Sequence, residues 1–327
     1  MRAIVVDAPG DESVLHIGEV ERPACGPNDL RIAVTHAGVN RADLLQRQGS
    51  YPPPSGASTI LGMECAGRVT ERGSAVVGWT VGERAMALLA GGGYAAEVVV
   101  DCQSAMHVPD TLSDAEAGAL PEVYLTAFLN IFLIGRARSG ETILVHGGGS
   151  GVGTAALNLC RLAGVRVIVT VGSDEKAARC IELGAVDAIN YKEESFGVRA
   201  REISGRGVDL VLDNIGASYL GADLDALAPD GRLVVIGSMG GERMAPLDFG
   251  LLLSKRIQIT GSTLRSKSGE AKGSLVAAFL ERFGEALQDG KVRPIVDRVV
   301  PLSEAPEAHR VMKSSAHFGK IVLRVSD

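Results

Sequence analysis

The stretch Thr142-Ile143-Leu144-Val145-His146-Gly147-Gly148-Gly149-Ser150-Gly151-Val152-Gly153-Thr154-Ala155-Ala156 decides the fold. Its apolar start reads as a strand buried on both faces. Glycines follow, and small residues then open a helix predicted over 153–163. Strand, glycine turn and helix together receive the pyrophosphate of a dinucleotide. Missing side chains let phosphate oxygens reach backbone N–H groups, and the positive end of the helix dipole favours the anion. In the best register, Gly148-x-Ser150-x-x-Gly153, serine takes the middle glycine position. Gly151 beside it still admits phosphates, Val152 follows in the first helical turn, and the Ser150 hydroxyl offers a further hydrogen bond. A tight turn that only packs helix on sheet has the same local sequence. The strand before, the helix after and the second strand beyond favour the nucleotide.

Working outward, apolar strands alternate with helices from residue 142 on. Strands are predicted at 142–146, 165–171, 187–190, 208–213, 232–236 and 257–260, and helices at 153–163, 174–183, 195–204 and 221–227. This alternation predicts a doubly wound parallel sheet covered by helices. Residues before about 120 read as β-rich, with short apolar runs at 3–6, 30–35, 66–70 and 95–100 separated by Gly and Pro turns. Tyr51-Pro52-Pro53-Pro54 is expected to be an ordered loop. Helical patterns at 113–120 and 122–134 lead into the parallel part. A helix at 273–288, a strand at 298–300, a helix at 305–313 and a strand at 319–325 form a tail expected to rejoin the β-rich front. The expected division is 1–120 with 265–327, and 121–264.

The 327 residues exceed one ordinary domain and suit two. Apolar residues at 46% and charged residues at 22% give a globular balance. The formal net charge of −6 and the lack of a basic stripe disfavour nucleic acid as a partner. The N-terminal apolar run is short for a signal peptide, and no run has the length of a membrane span. The five cysteines are scattered without a CxxC pair, which fits a reducing, cytoplasmic compartment.

The second parallel strand ends at Val171-Gly172-Ser173. An acid that would hold the ribose hydroxyls of NAD is absent there. Ser173 is placed to cap the next helix, and Lys176 lies in that helix's first turn, where the macrodipole disfavours a cation. A 2′-phosphate between the two explains the placement, and a solvated lysine beside helix-start acids is the bland alternative. One charge-assisted hydrogen bond is worth about 1.5–3 kcal/mol, roughly a ten- to hundredfold preference for NADPH. Further strand ends carry Asn214, then Gly237, Ser238 and Met239, then Ser262 and Thr263. Ligands of such sheets lie beyond the carboxyl ends of strands, so these segments are either cofactor contacts or plain turns.

The sequence resembles the medium-chain dehydrogenase/reductase superfamily, and within it the zinc-independent quinone oxidoreductase branch, nearest to the p53-inducible type. The residues carrying this are Gly38-Val39-Asn40-Arg41-Ala42-Asp43-Leu44, Gln48-Gly49-Ser50-Tyr51-Pro52, Leu61-Gly62-Met63-Glu64, Leu120-Pro121-Glu122-Val123-Tyr124-Leu125-Thr126-Ala127-Phe128, the glycine turn, and Gly319-Lys320-Ile321-Val322-Leu323. The resemblance implies a GroES-like catalytic domain, a Rossmann domain, a homodimer and NADPH. It implies cofactor contacts at Asn40, Thr126, Gly151, Val152, Gly172, Ser173, Lys176, Tyr191 and Lys320. It also implies dimer pairing through the last parallel strand, 256–261. Zinc enzymes of the superfamily carry cysteine where Asn40 stands and histidine where Met63 stands. An amide and a thioether bind Zn²⁺ poorly, so no metal is expected.

Without a Lewis acid, a conjugated carbonyl such as a quinone is an easier hydride acceptor than a plain alcohol is a donor. Tyr51 either donates a hydrogen bond to the substrate oxygen or stacks on the proline loop. Asn40 either orients substrate or cofactor, or caps a helix starting at Arg41. Asp43 tunes this loop or bears surface charge, and Arg265 reaches the cofactor or is exposed. The rival readings are an alkenal or enoyl thioester reductase of the same fold, and a non-catalytic NADPH sensor or RNA-binding protein.

Overall fold

The computed structural model describes residues 1–326. The chain forms two compact units, residues 1–125 with the chain from 264 onward, and residues 126–263. The expected divisions, after 120 and after 264, fall close by, and the helix Pro121–Phe128 carries the chain from one unit into the other.

In the second unit six strands lie in the spatial order Asp187–Asn190, Arg166–Val171, Thr142–His146, Val208–Asp213, Leu227–Val235, Gln258–Gly261. All neighbours are parallel. Numbered along the chain this is 3-2-1-4-5-6, the order of the dinucleotide-binding Rossmann fold, with its switch point beside the first strand. Every residue of Thr142–His146 is buried, as a strand with helices on both faces requires. Leu144, Ile168, Ile189, Val211 and Leu233 form the sheet's share of a core completed by Phe196, Ala200 and Leu224. The helix Gly151–Ala163 ends at Gly164 in the left-handed region (φ 69°), a conformation that favours glycine after a helix.

The helix expected over 122–134 differs. It is α-helical only over Pro121–Phe128, and Leu129–Ile134 forms a π turn closed by the Gly135 N–H on the Asn130 carbonyl (2.9 Å). The buried Asn130 amide donates to the Thr126 carbonyl (2.8 Å). That acceptor is the one a regular helix would give to the Asn130 N–H, so the coil widens.

The first unit is a mainly antiparallel seven-stranded sheet centred on Asp29–Gly38, which pairs with Glu64–Arg72, Glu97–Asp101 and Lys320–Arg324. The tail does rejoin this sheet: Lys320–Arg324 lies beside Asp29–Gly38, and Val296–Pro301 pairs with it in parallel. Three strands escape the sequence reading: His16–Glu19, Arg84–Leu88 and Ala105–His107. Arg-Ala-Met-Ala-Leu is composed of helix formers, and only its pairing with Glu64–Arg72 on one side and Ala105–His107 on the other makes it a strand. Among the described residues, no helix is long and apolar enough to cross a membrane.

Candidate active site

The glycine turn is built as its spacing demands. Gly147 has φ +72°, and Ser150 caps the following helix, its Oγ accepting the Gly153 N–H (3.0 Å). A Cβ on Gly153 would lie 2.4 Å from the Gly147 carbonyl oxygen, and one on Gly148 would lie 2.6 Å from Val169. Gly147 thus serves the turn, while Gly148 and Gly153 serve close packing. Gly151 and Val152 open the helix, so their N–H groups belong to the end that attracts an anion.

The end of the second strand gathers four of the expected residues. Ser173 caps the helix Asp174–Glu182 through the Lys176 N–H (3.4 Å). The Tyr191 hydroxyl lies 2.8 Å from where a Gly172 Cβ would stand, and the Tyr191 N–H donates to the Val171 carbonyl (3.1 Å). The acid nearest in sequence, Asp174, accepts a hydrogen bond from the Asn190 amide (3.0 Å). Lys176 is half-buried.

The later strand ends are also joined. The Met239 N–H donates to the Asn214 carbonyl (3.1 Å), and a Cβ on Gly237 would lie 2.9 Å from the same oxygen. Ser238 and Thr263 are exposed, and Ser262 is half-buried. Asp213 holds the loop: its carboxylate accepts N–H groups of Ile215 (2.6 Å) and Gly216 (2.9 Å). Below the turn, His146 bonds to Thr170 Oγ1 (3.0 Å) and Asp223 (2.8 Å), with the His146 and Asp223 side chains fully buried. Burial, with Asp223 next, pushes the Asp213 carboxyl up to about 6. Asp213 and Asp223 are missed by sequence reasoning, since each looks like an ordinary loop or helix acid.

Two buried polar atoms, Asn214 Oδ1 and Ser262 Oγ, have no partner within the protein among the described residues. Buried polar atoms are rarely left so, and the side-chain-poor turn offers backbone donors at the same strand ends. These residues fit a dinucleotide. The Thr126 carbonyl is taken by the Asn130 amide.

In the first unit, Asn40 occupies the cap position of the helix Arg41–Arg47, and the Asp43 carboxylate reaches back to the Asn40 N–H (2.8 Å). The Asn40 side chain points elsewhere. Its Nδ2 donates to Glu64 (2.9 Å) and its Oδ1 accepts from Lys320 (2.6 Å). Lys320 Nζ also donates to the Val39 carbonyl (2.8 Å) and meets Glu64 at 2.7 Å. Two expectations are corrected here. Lys320, expected to contact the cofactor, is 2% exposed and has its three donors on protein acceptors. Asp43 bears no surface charge: at 0% exposure it accepts from Asn40, from the Gly62 N–H (3.1 Å) and from the Tyr94 hydroxyl (3.2 Å). Burial pushes it up to about 6. Through the Asn40 N–H it positions that residue. The cluster fits no zinc ion, because the cation on Asn40 and Glu64 is already the Lys320 ammonium, and Met63 is buried in the core.

Tyr51 is half-buried, with the Arg265 guanidinium 5.2 Å from its ring centroid. Arg265 is neither exposed nor free for a cofactor. At 3% exposure it donates to the Ala90 carbonyl (2.8 Å), the Tyr51 carbonyl (3.2 Å) and Gln46 Oε1 (2.5 Å). Burial, then the neighbouring Glu64, pushes the Glu122 carboxyl up to about 8. Glu122 and Lys272 are the groups that sequence reasoning missed here. A signal existed for Lys272, which stands on the stripe it shares with buried Leu275, Val276 and Phe279 of the helix Gly269–Gln288.

Comparison with known proteins agrees with this architecture. The family described as alcohol dehydrogenase GroES-like domain matches residues 26–110, and that described as zinc-binding dehydrogenase matches residues 183–323. Rat (Rattus norvegicus) quinone oxidoreductase is 31% identical over 327 residues, covering 99% of this chain and 97% of that protein. A phenolphthiocerol/phthiocerol polyketide synthase polypeptide of Mycobacterium tuberculosis is 31% identical over 98% of this chain, which spans only 14% of that much longer protein. Among solved structures, Escherichia coli quinone oxidoreductase complexed with NADPH is 26% identical with a TM-score of 0.85, covering 99% of this chain and 100% of that one. The chain belongs to the medium-chain dehydrogenase/reductase superfamily of oxidoreductases.

Proposed function

We propose that this chain is an NADPH-dependent reductase of small conjugated carbonyl compounds, quinones foremost, working without a metal. The observation that carries the reading is the end of the second parallel strand. There Gly172, Ser173, Lys176 and Tyr191 converge where an NAD site would hold a free acid. The similarity to quinone oxidoreductases of rat and Escherichia coli supports it.

When bound, the reduced nicotinamide supplies hydride. The chain's own task is then to bind, orient and stabilise charge. The helix Gly151–Ala163 receives the pyrophosphate, and Ser173 and Lys176 receive the 2′-phosphate. Tyr51 donates to the acceptor's oxygen; burial pushes its phenol up, so the donor form is kept. The Asn40 amide is held in one orientation by Lys320 and Glu64.

A homodimer through Gln258–Gly261 belongs to the same proposal. That strand is a sheet edge with all residues exposed, and Ile259, Leu253 and Phe249 lie open nearby in sequence. Sedimentation of the purified protein tests it.

The deciding experiment is steady-state oxidation of NADPH and NADH with ortho-quinones, para-quinones, alkenals and enoyl thioesters. Quinones with NADPH should give the highest kcat/KM, and Lys176→Ala should narrow the cofactor preference by about tenfold. Equal use of both cofactors by wild type and variant would refute the NADPH assignment. A marked preference for enoyl thioesters would select the rival reductase.

A further inference from the structure

The helix Arg41–Arg47 places Asp43 and Arg47 one turn apart on the same face. Opposite charges so spaced ordinarily meet each other. Here two buried rings join them instead. The Arg47 guanidinium, 1% exposed, donates to His309 Nδ1 (3.3 Å). His309 Nε2 lies 3.3 Å from the Tyr94 hydroxyl, and that hydroxyl donates to Asp43 Oδ2 (3.2 Å). His309 comes from the helix Ala305–Ser314, and it, Tyr94 and Asp43 are fully buried.

This chain of hydrogen bonds runs one way. A guanidinium has donors alone, so His309 Nδ1 accepts and the ring's proton sits on Nε2. Nε2–H then donates to the Tyr94 oxygen, which leaves the Tyr94 O–H for Asp43. Neither ring reverses it. Burial, then Arg47, pushes His309 down to about 3, so it takes no second proton at neutral pH. Burial, then Asp43, pushes the Tyr94 phenol up, so it keeps its proton. Asp43 therefore meets donors on both oxygens: Tyr94 and the Asn40 N–H (2.8 Å) on Oδ2, the Gly62 N–H (3.1 Å) on Oδ1. Such a surround suits a carboxylate and conflicts with a protonated acid.

We propose that Arg47, His309 and Tyr94 are positioning residues for Asn40: their one-way chain keeps Asp43 ionised, and the ionised Asp43 holds Asn40 in place for reduction of the acceptor. This rests on the reductase reading above. Burial pushes Asp43 up to about 6, so the chain's hold is lost as pH falls through that value. The other charged or titratable groups facing Asp43 are Lys320, which favours the carboxylate, Arg265, and Glu122, which burial pushes up to about 8 and so leaves uncharged near 6.

Each link has its own readout in the full chain. Nitrogen NMR should show His309 protonated on Nε2 alone between about pH 5 and 8, and Arg47→Met should free the ring to exchange tautomers. Carbon NMR of the Asp43 carboxyl, without nucleotide, should titrate at about 6. Tyr94→Phe removes one donor to that carboxylate and should raise the titration by about one to two pH units. Wild-type kcat with NADPH and 1,4-naphthoquinone should fall as pH drops through the same value, and in Tyr94→Phe that limb should move up with the titration while KM for NADPH stays. His309→Gln should keep the wild-type limb, since its amide oxygen accepts from Arg47 and its amide N–H donates to Tyr94; His309→Leu should move it up. A packing role alone would lower the melting temperature and leave the limb in place. An Asp43 titration unmoved in Tyr94→Phe, or a His309 ring protonated on Nδ1, overturns the chain. A titration that moves without the kcat limb overturns the positioning role and leaves the reductase reading standing. A wild type that binds NADPH but reduces none of the acceptors overturns the reductase reading and the positioning role with it, whatever the spectra show of the chain.

Discussion

Replacing Lys320 with methionine separates a scaffold lysine from a cofactor lysine. The side chain fits the same volume but withdraws three donors: from the Val39 carbonyl, from Asn40 Oδ1 and from Glu64. Among the described residues Glu64, whose side chain is 0% exposed, then keeps only the Asn40 amide and the Glu122 N–H as donors. Breaking a buried ion pair from one side costs about 3–5 kcal/mol. For a unit of this size each kcal/mol moves the melting temperature by about 2–4 °C, so a loss of about 10 °C is expected. The assay is calorimetric melting read transition by transition, because two units need not melt together. The double variant Glu64→Gln with Lys320→Met leaves neither member of the pair charged and should recover at least half of the loss. If Lys320→Met melts within about 2 °C of wild type while its KM for NADPH rises, the scaffold role is wrong and the lysine belongs to the nucleotide.

Gly153→Val should abolish measurable NADPH binding by calorimetry, since its Cβ would stand 2.4 Å from the Gly147 carbonyl oxygen and push the turn off the helix end. Tyr51→Phe should lower quinone turnover about tenfold with little change in NADPH affinity, the loss expected for one hydrogen bond to a charged oxygen; steady-state kinetics within about twofold of wild type would remove the donor role. Glu122 stands at about 8 against an ordinary 4.5, so the folded chain holds this proton more tightly than the unfolded one. Its contribution is full below about 4.5 and is lost as pH rises to about 8, at most about 5 kcal/mol. Urea midpoints should therefore turn in favour of Glu122→Gln over that interval, and parallel curves for the two proteins would contradict the burial argument.

The nucleotide-binding unit was legible because its information is local. Thr142–His146 and Val208–Asp213 announce themselves as apolar runs, and the glycine turn states its own geometry. The first unit was harder to read because its strands are short and its contacts distant. Arg84–Leu88 becomes a strand only between Glu64–Arg72 and Ala105–His107. Asp43 and Lys320 were misjudged for a related reason: a carboxylate or ammonium reads as solvent-facing or ligand-facing until its partners are known. Two partners of Lys320 stand 280 and 281 positions away in the chain. Glu122 and Lys272 carry no motif of their own, and their meaning comes from what surrounds them.

The strand Lys320–Arg324 brings that lysine to Asn40 after the whole of residues 126–263 has been made. During synthesis the front sheet must therefore wait, with Glu64 lacking its counter-charge, while the nucleotide-binding unit emerges and is free to fold. A chain clipped ahead of residue 320 would retain the glycine turn yet lack the cation that steadies Asn40.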